Sequence, residues 1–144
     1  MNTDRFKFRV WCNPLLGSSG YLTNRTDLAI IQDGELMFDS YDGLQEFDPN
    51  GDDCIVEQCT GLKDADGKLI YEGDIIRGKN PEVCHEIVFD HERACFRAEL
   101  LPKPKHWMQN SVYCGLSKQW IDEFAKRIVG NIHENPELLK EEAK

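Results

Sequence analysis

The chain has little that could cross a membrane or mark a reaction centre. No apolar run approaches the roughly 20 residues of a membrane-spanning helix. The start, Met1 to Arg5, contains no apolar h-region, so no secretory leader is expected. The phosphate-cradling pattern Gly-x-x-x-x-Gly-Lys-[Ser/Thr] is absent, and no Gly-rich turn lies between a strand and a helix. No nucleophile elbow marks a cysteine or serine as activated. There is no repeat of solenoid length and no low-complexity run. Positive charge is in deficit, with 17 Lys and Arg against 26 Asp and Glu and a net charge of −9. That balance favours solubility and argues against a sequence-independent grip on nucleic-acid phosphates.

What is present suffices for a folded domain. The 144 residues are 40% hydrophobic and 10% aromatic, enough to bury roughly two-thirds of the surface of the unfolded chain. The acidic excess is N-terminal and central: Asp39, Asp42, Glu46, Asp48, Asp52, Asp53 and Glu57 have few compensating cations. The six cysteines are Cys12, Cys54, Cys59, Cys84, Cys95 and Cys114. With no leader expected, the chain is placed in a reducing cytoplasm, and the thiols are read as free.

The clearest local structure is residues 60–77. Asp66-Gly67 is a tight-turn signal, because Gly tolerates the positive φ of hairpin turns. Gly61 and Gly73 bracket the hairpin, and Leu62, Leu69, Tyr71, Ile75 and Ile76 supply its apolar side chains. Elsewhere, Phe6, Phe8 and Val10 alternate with Lys7 and Arg9 as in a half-buried strand. Residues 28–32 and 35–38 read as a second hairpin about Asp33-Gly34. Residues 40–53, rich in Asp, Gly, Asn and Pro, read as a mobile loop. Residues 83–89 and 94–101 read as a third antiparallel pair. The period then changes. Trp120, Ile121, Phe124 and Ala125 share a helical face after Ser117 as N-cap. A short extended segment follows at 127–133, and Asn135-Pro136 has the form of a helix start. The fold class is α+β, mainly antiparallel β: a hairpin-rich sheet or small barrel of about seven strands with one or two short C-terminal helices.

Candidate chemistry is thin. Zinc prefers paired ligands at set spacing, but Cys84 and His85 are strand neighbours that point to opposite faces. Neither Cys54 with Cys59 nor His91 with Cys95 completes a set. Residues 48–53 place acceptors at alternate positions as a calcium loop does, yet Asp53 stands where glycine is required, so a turn is the simpler reading. His85, His91, His106 and His133 could each meet a cysteine in space, with nothing local to single one out. No catalytic residue, metal or cofactor is assigned. Lys103, Lys105, His106 and Trp107 form a small basic and aromatic cluster of the type that binds single strands, and Lys118, Lys126 and Arg127 add charge nearby. Trp107, Met108, Val112, Tyr113, Trp120 and Phe124 concentrate aromatic bulk, the composition of interface centres.

Three segments carry a family resemblance. Residues 58–76, centred on the Asp66-Gly67 hairpin, resemble the central signature of the YopX family of phage and prophage proteins. Residues 5–11 are similar to its opening strand. Residues 128–139 are similar to its closing segment, with His133 where tyrosine is more usual. The middle, 80–122, matches poorly. The resemblance implies a β-rich, oligomeric protein of temperate phages whose biochemical role is unknown, and it brings no catalytic or ligand residue. Gly61, Asp66, Gly67, Tyr71, Gly73, Asp74, Asn135 and Pro136 are then markers of turns and caps. The expectation is one domain over 1–144, with 1–101 β-rich and 102–144 mixed, non-enzymatic, self-associating and acting on an unknown protein partner, with no membrane contact. The alternatives are a nucleic-acid-binding regulator using 103–127 and a small Cys/His metalloprotein or enzyme.

Overall fold

The computed structural model describes residues 3–13, 19–22, 28–30, 35–46, 53–102 and 114–140. In chain order, the N-terminal strands are β1 (Phe8–Asn13), β2 (Gly20–Tyr21), β3 (Leu28–Ile30), β4 (Leu36–Ser40) and β5 (Gly43–Glu46). They are followed by β6 (Asp53–Lys63), β7 (Leu69–Tyr71), β8 (Asp74–Arg77), β9 (Cys84–Asp90), β10 (Cys95–Leu101) and β11 (Cys114–Gly115). The chain then forms α1 (Lys118–Glu123) and β12 (Arg127–Asn131). Short 3-10 turns occupy Asp4–Phe6 and Pro136–Leu139. Among the described residues α1 is the one α-helix, so the architecture is mainly antiparallel β, and the expected α+β character reduces to two turns of helix.

The chain divides into two compact units, one formed by Met1–Phe8 with Gln58–Lys144 and the other by Arg9–Glu57. The first holds a five-stranded antiparallel sheet in the order β11-β10-β9-β8-β12. Registers Ile128↔Ile76, Ile76↔His85 and His85↔Leu100 align these side chains across one face. Ile87 and Ala98 pair two residues further along on the same face. With Ile70 and Ile121 they form the buried core, against which Leu62, Phe96, Leu116, Trp120 and Ile128 pack. Each fully buried aliphatic side chain contributes about 1.5–3 kcal/mol, so this cluster holds the unit together.

The hairpin at 60–77 forms as its turn residues direct. Gly67 has φ +84° and Gly73 φ +84°. Asp64, buried, accepts from the backbone N–H of Asp66 and of Lys68, each at 2.9 Å. Gly61, at φ +80°, falls where the β6–β7 register shifts, and a Cβ there would lie 3.2 Å from the Arg5 Cβ. The 84–101 pair also forms as expected, antiparallel from Cys95↔Asp90 to Leu101↔Cys84.

The second unit contains β2 beside β1 and the three-stranded sheet β3-β4-β5. Its buried apolar residues among those described are Val10, Trp11 and Cys12. Glu57, also buried, accepts from Arg9 Nε at 2.6 Å and from the Tyr21 hydroxyl at 3.0 Å. The Arg9 guanidinium lies 4.5 Å from the Tyr21 ring centroid, and Trp11 meets that ring edge-on at 5.0 Å. A disulfide joins Cys12 to Cys54.

Several expectations are corrected. The thiols are not all free: Cys12 and Cys54 meet because β1 and β6 are neighbouring strands 42 residues apart in sequence. Phe6 does not share a strand face with Phe8 and Val10; it sits exposed in a 3-10 turn. Residues 40–46 are not loop, because Ser40 Oγ donates to the Gly43 carbonyl at 2.7 Å and a two-residue turn at Tyr41 and Asp42 closes the β4–β5 hairpin. Asn135 makes no side-chain cap on the turn after it. Its Oδ1 instead accepts from the Asn131 N–H at 3.2 Å. The second hairpin forms by Leu28↔Phe38 pairing, its Asp33-Gly34 turn lying outside the described residues.

Candidate functional site

The most unusual side-chain grouping in the first unit lies where α1 packs on the sheet. Ser117 caps α1, its Oγ accepting from the Trp120 N–H at 3.2 Å. The helix stops at Glu123, and Ala125 adopts φ +49°, which turns the chain back into β12. Gly78 permits this reversal: a Cβ there would sit 2.5 Å from the Phe124 carbonyl oxygen. The Lys126 ammonium, on a buried side chain, lies 4.5 Å from the Trp120 ring centroid and 5.9 Å from that of Phe124. A cation over aromatic faces is attracted by the ring quadrupole.

His85 completes the group. Its ring meets Trp120 edge-on at 5.3 Å, it is 6% exposed, and its Nδ1 has no hydrogen-bond partner among the described residues. Burial, helped by the positive charge of Lys126, lowers its pKa to about 4. The ring is therefore neutral near pH 7 and packs as part of the apolar face between Ile76 and Leu100. Strand alternation sends Cys84 to the opposite face, as its spacing indicates. Cys59 is buried, and that burial pushes its thiol above the ordinary value, so it is protonated at neutral pH and a poor nucleophile.

Of the residues singled out for an interface, Trp120 is half-buried against the core and Phe124 is 44% exposed at the end of α1. Lys118 pairs with Asp122, and Arg127 Nε with Asp66 at 3.0 Å. Lys103, Lys105, His106, Trp107, Met108, Val112 and Tyr113 lie outside the described residues, as do positions 48–52 of the calcium-like segment. No three His, Cys, Asp or Glu side chains among the described residues converge on a metal position. No helix of the described residues is long and apolar enough to cross a membrane.

The second unit presents a different surface. Positions 9–57 contain ten acidic residues and two basic ones, Arg9 and Arg25, so nearly all of the chain's net charge of −9 lies there. No residue of β3, β4 or β5 is buried. Ile30 is 41% exposed, Leu44 57%, and Tyr41, at the hairpin tip, fully so. The acids stand out in the sequence, as does the β3–β4 hairpin, but β5, which falls in the stretch expected as loop, does not.

These features define a small, mainly antiparallel β protein with exposed apolar side chains in both units. The chain belongs to the YopX family, whose model, described as "YopX protein", matches residues 7–140. A solved structure described as "Crystal structure of protein EF1440 from Enterococcus faecalis" is similar at 26% identity, covering 93% of this chain and 97% of that chain with a TM-score of 0.48. No curated protein matches.

Proposed function

We propose that this is a phage- or prophage-encoded accessory protein, non-enzymatic, that self-associates and acts by binding a protein partner in the bacterial cytoplasm. The observation that carries the reading is Phe124, held exposed at the end of α1 beside Trp120 and Lys126. An exposed aromatic anchored on a rigid element is the kind of side chain that association surfaces use. Family membership supports the phage origin. In a reducing compartment the Cys12–Cys54 bond is open to reduction, so association is best measured with and without reductant.

The test is light scattering over a protein concentration series. The expected result is a mass above that of the 16.6 kDa chain, falling toward the monomer on Phe124→Ser. A monomer at the highest concentration in both redox states overturns self-association. The nucleic-acid alternative rests on Lys103, Lys105, His106 and Trp107; a gel-shift experiment showing salt-dependent retardation of DNA or RNA would support it.

A further inference from the structure

We infer that the open edge of the β3-β4-β5 sheet is a docking surface for an extended, basic and apolar segment of a partner protein. This deepens the partner-binding reading above and rests on it.

Three observations converge on β5. It is an edge strand, paired with β4 alone among the described residues, and all four of its residues are exposed. An exposed sheet edge presents unpaired N–H and C=O groups and accepts an added strand. Register then fixes what that strand would meet. Asp39↔Leu44 and Met37↔Glu46 place Leu44, Met37, Asp39 and Glu46 on one face. Each row of that face sets one apolar side chain beside one carboxylate, Leu44 across from Asp39 and Met37 across from Glu46. Tyr41 stands fully exposed at the hairpin tip, a side chain enriched where interfaces concentrate their energy.

Charge selects the occupant. Over residues 28–30 and 35–46 the acidic side chains are Glu35, Asp39, Asp42 and Glu46, and there is no Lys, Arg or His. Of the two arginines in the unit, Arg9 is engaged by buried Glu57. A second copy of the chain would set one acidic edge against another, which opposes pairing. A segment with Lys or Arg two residues from Leu, Ile or Val matches instead, its cation facing Glu46 and its apolar side chain facing Leu44. Side chains two apart in a strand share a face.

The test uses the full chain with its disulfide intact and a short dye-labelled peptide alternating Thr with Lys and Leu in turn. Fluorescence anisotropy is expected to show saturable binding. Replacing the peptide's Leu by Ser weakens it by roughly tenfold, and replacing its Lys by Glu abolishes it. Leu44→Lys in the protein weakens binding by a similar factor while circular dichroism stays unchanged, and hydrogen exchange slows at the β5 amides on peptide addition. Equal affinity for the Leu and Ser peptides, no binding, or protection elsewhere would overturn the inference. If instead Leu44→Lys dissolves a self-associated species in light scattering, a second copy occupies the edge. That outcome also overturns this inference, yet leaves self-association standing, so the two proposals fail separately.

Discussion

The Oδ2 of Asp64 accepts a hydrogen bond from the backbone N–H of Ile128 at 3.0 Å. One buried carboxylate thus ties the turn of the 60–77 hairpin to the last strand of the sheet, 64 residues away in sequence. The Ala65 N–H adds a second tie to the Lys126 carbonyl at 2.8 Å. Aspartate is suited to this because its two oxygens serve the backbone amides of Asp66, Lys68 and Ile128 together.

Asp64→Ala leaves three backbone donors, the N–H groups of Asp66, Lys68 and Ile128, without their acceptor. Hydrogen bonds to charged groups contribute more than neutral ones, so the expected loss of stability is about 3 kcal/mol. Asp64→Asn, which keeps one acceptor oxygen, is expected to lose less. Urea midpoints of the two variants against the parent chain measure this, and equal midpoints for Asp64→Ala and the parent refute it.

Gly78→Ala probes the reversal after α1. The added methyl would lie 2.5 Å from the Phe124 carbonyl oxygen and 3.0 Å from the Lys126 Cδ. Since one of these is backbone, relief requires the chain to shift, at an expected cost of roughly 1–3 kcal/mol. Thermal unfolding reads the loss; a change in Trp120 fluorescence would place it at this corner.

His85 makes stability depend on pH in a predictable direction. Its folded pKa of about 4 lies below the ordinary 6.5. The unfolded chain therefore takes up a proton that the folded chain refuses. Stability is highest above pH 6.5 and falls as pH drops from there toward 4, by about 3 kcal/mol at most. His85→Phe removes this dependence within that window. Below it a further loss persists in the variant. Burial pushes the Asp90 carboxyl up, but hydrogen bonds from Arg93 and Glu92 together with the Arg93 charge more than reverse that and hold it below its ordinary value, so its protonation also destabilises the fold. Equal slopes for the variant and the parent chain between pH 4 and 6.5 would refute the assignment.

The Cys12–Cys54 bond closes most of the second unit, whose described apolar core is small. Cross-linking a segment of this length stabilises by about 4 kcal/mol on chain-entropy grounds. Cys12→Ser with Cys54→Ser is expected to remove amide protection across Arg9–Glu57, while β9 and β10 keep theirs. Hydrogen exchange resolved by peptide checks it, and uniform loss over the chain would refute the localisation.

Much of the first unit was legible in the sequence. Asp66-Gly67 and Gly73 announce their turns because positive φ is a property of the residue itself. The strand formers of 83–89 and 94–101 announce an antiparallel pair because branched and aromatic side chains pack well on a pleated surface. Ser117 marks the start of α1 because a hydroxyl can accept from an amide within the same turn. Three segments together, residues 5–11, 58–76 and 128–139, also identified the family. Contacts between distant segments were not legible. Nothing near Cys12 points to Cys54, and nothing near Asp64 points to Ile128.

The sequence by itself determined the local geometry: where the chain turns, which strands alternate, where a helix begins, and which stretch carries the negative charge. Only the tertiary structure decided that Cys12 and Cys54 are bonded. It also decided that His85 lies neutral against Trp120, and that the acidic stretch displays Leu44 on an edge strand among the described residues and Tyr41 at a hairpin tip. The physical reason is range. Turn and cap preferences act over a few residues, whereas burial, strand neighbours and edge exposure depend on which distant segments pair, which no local pattern encodes.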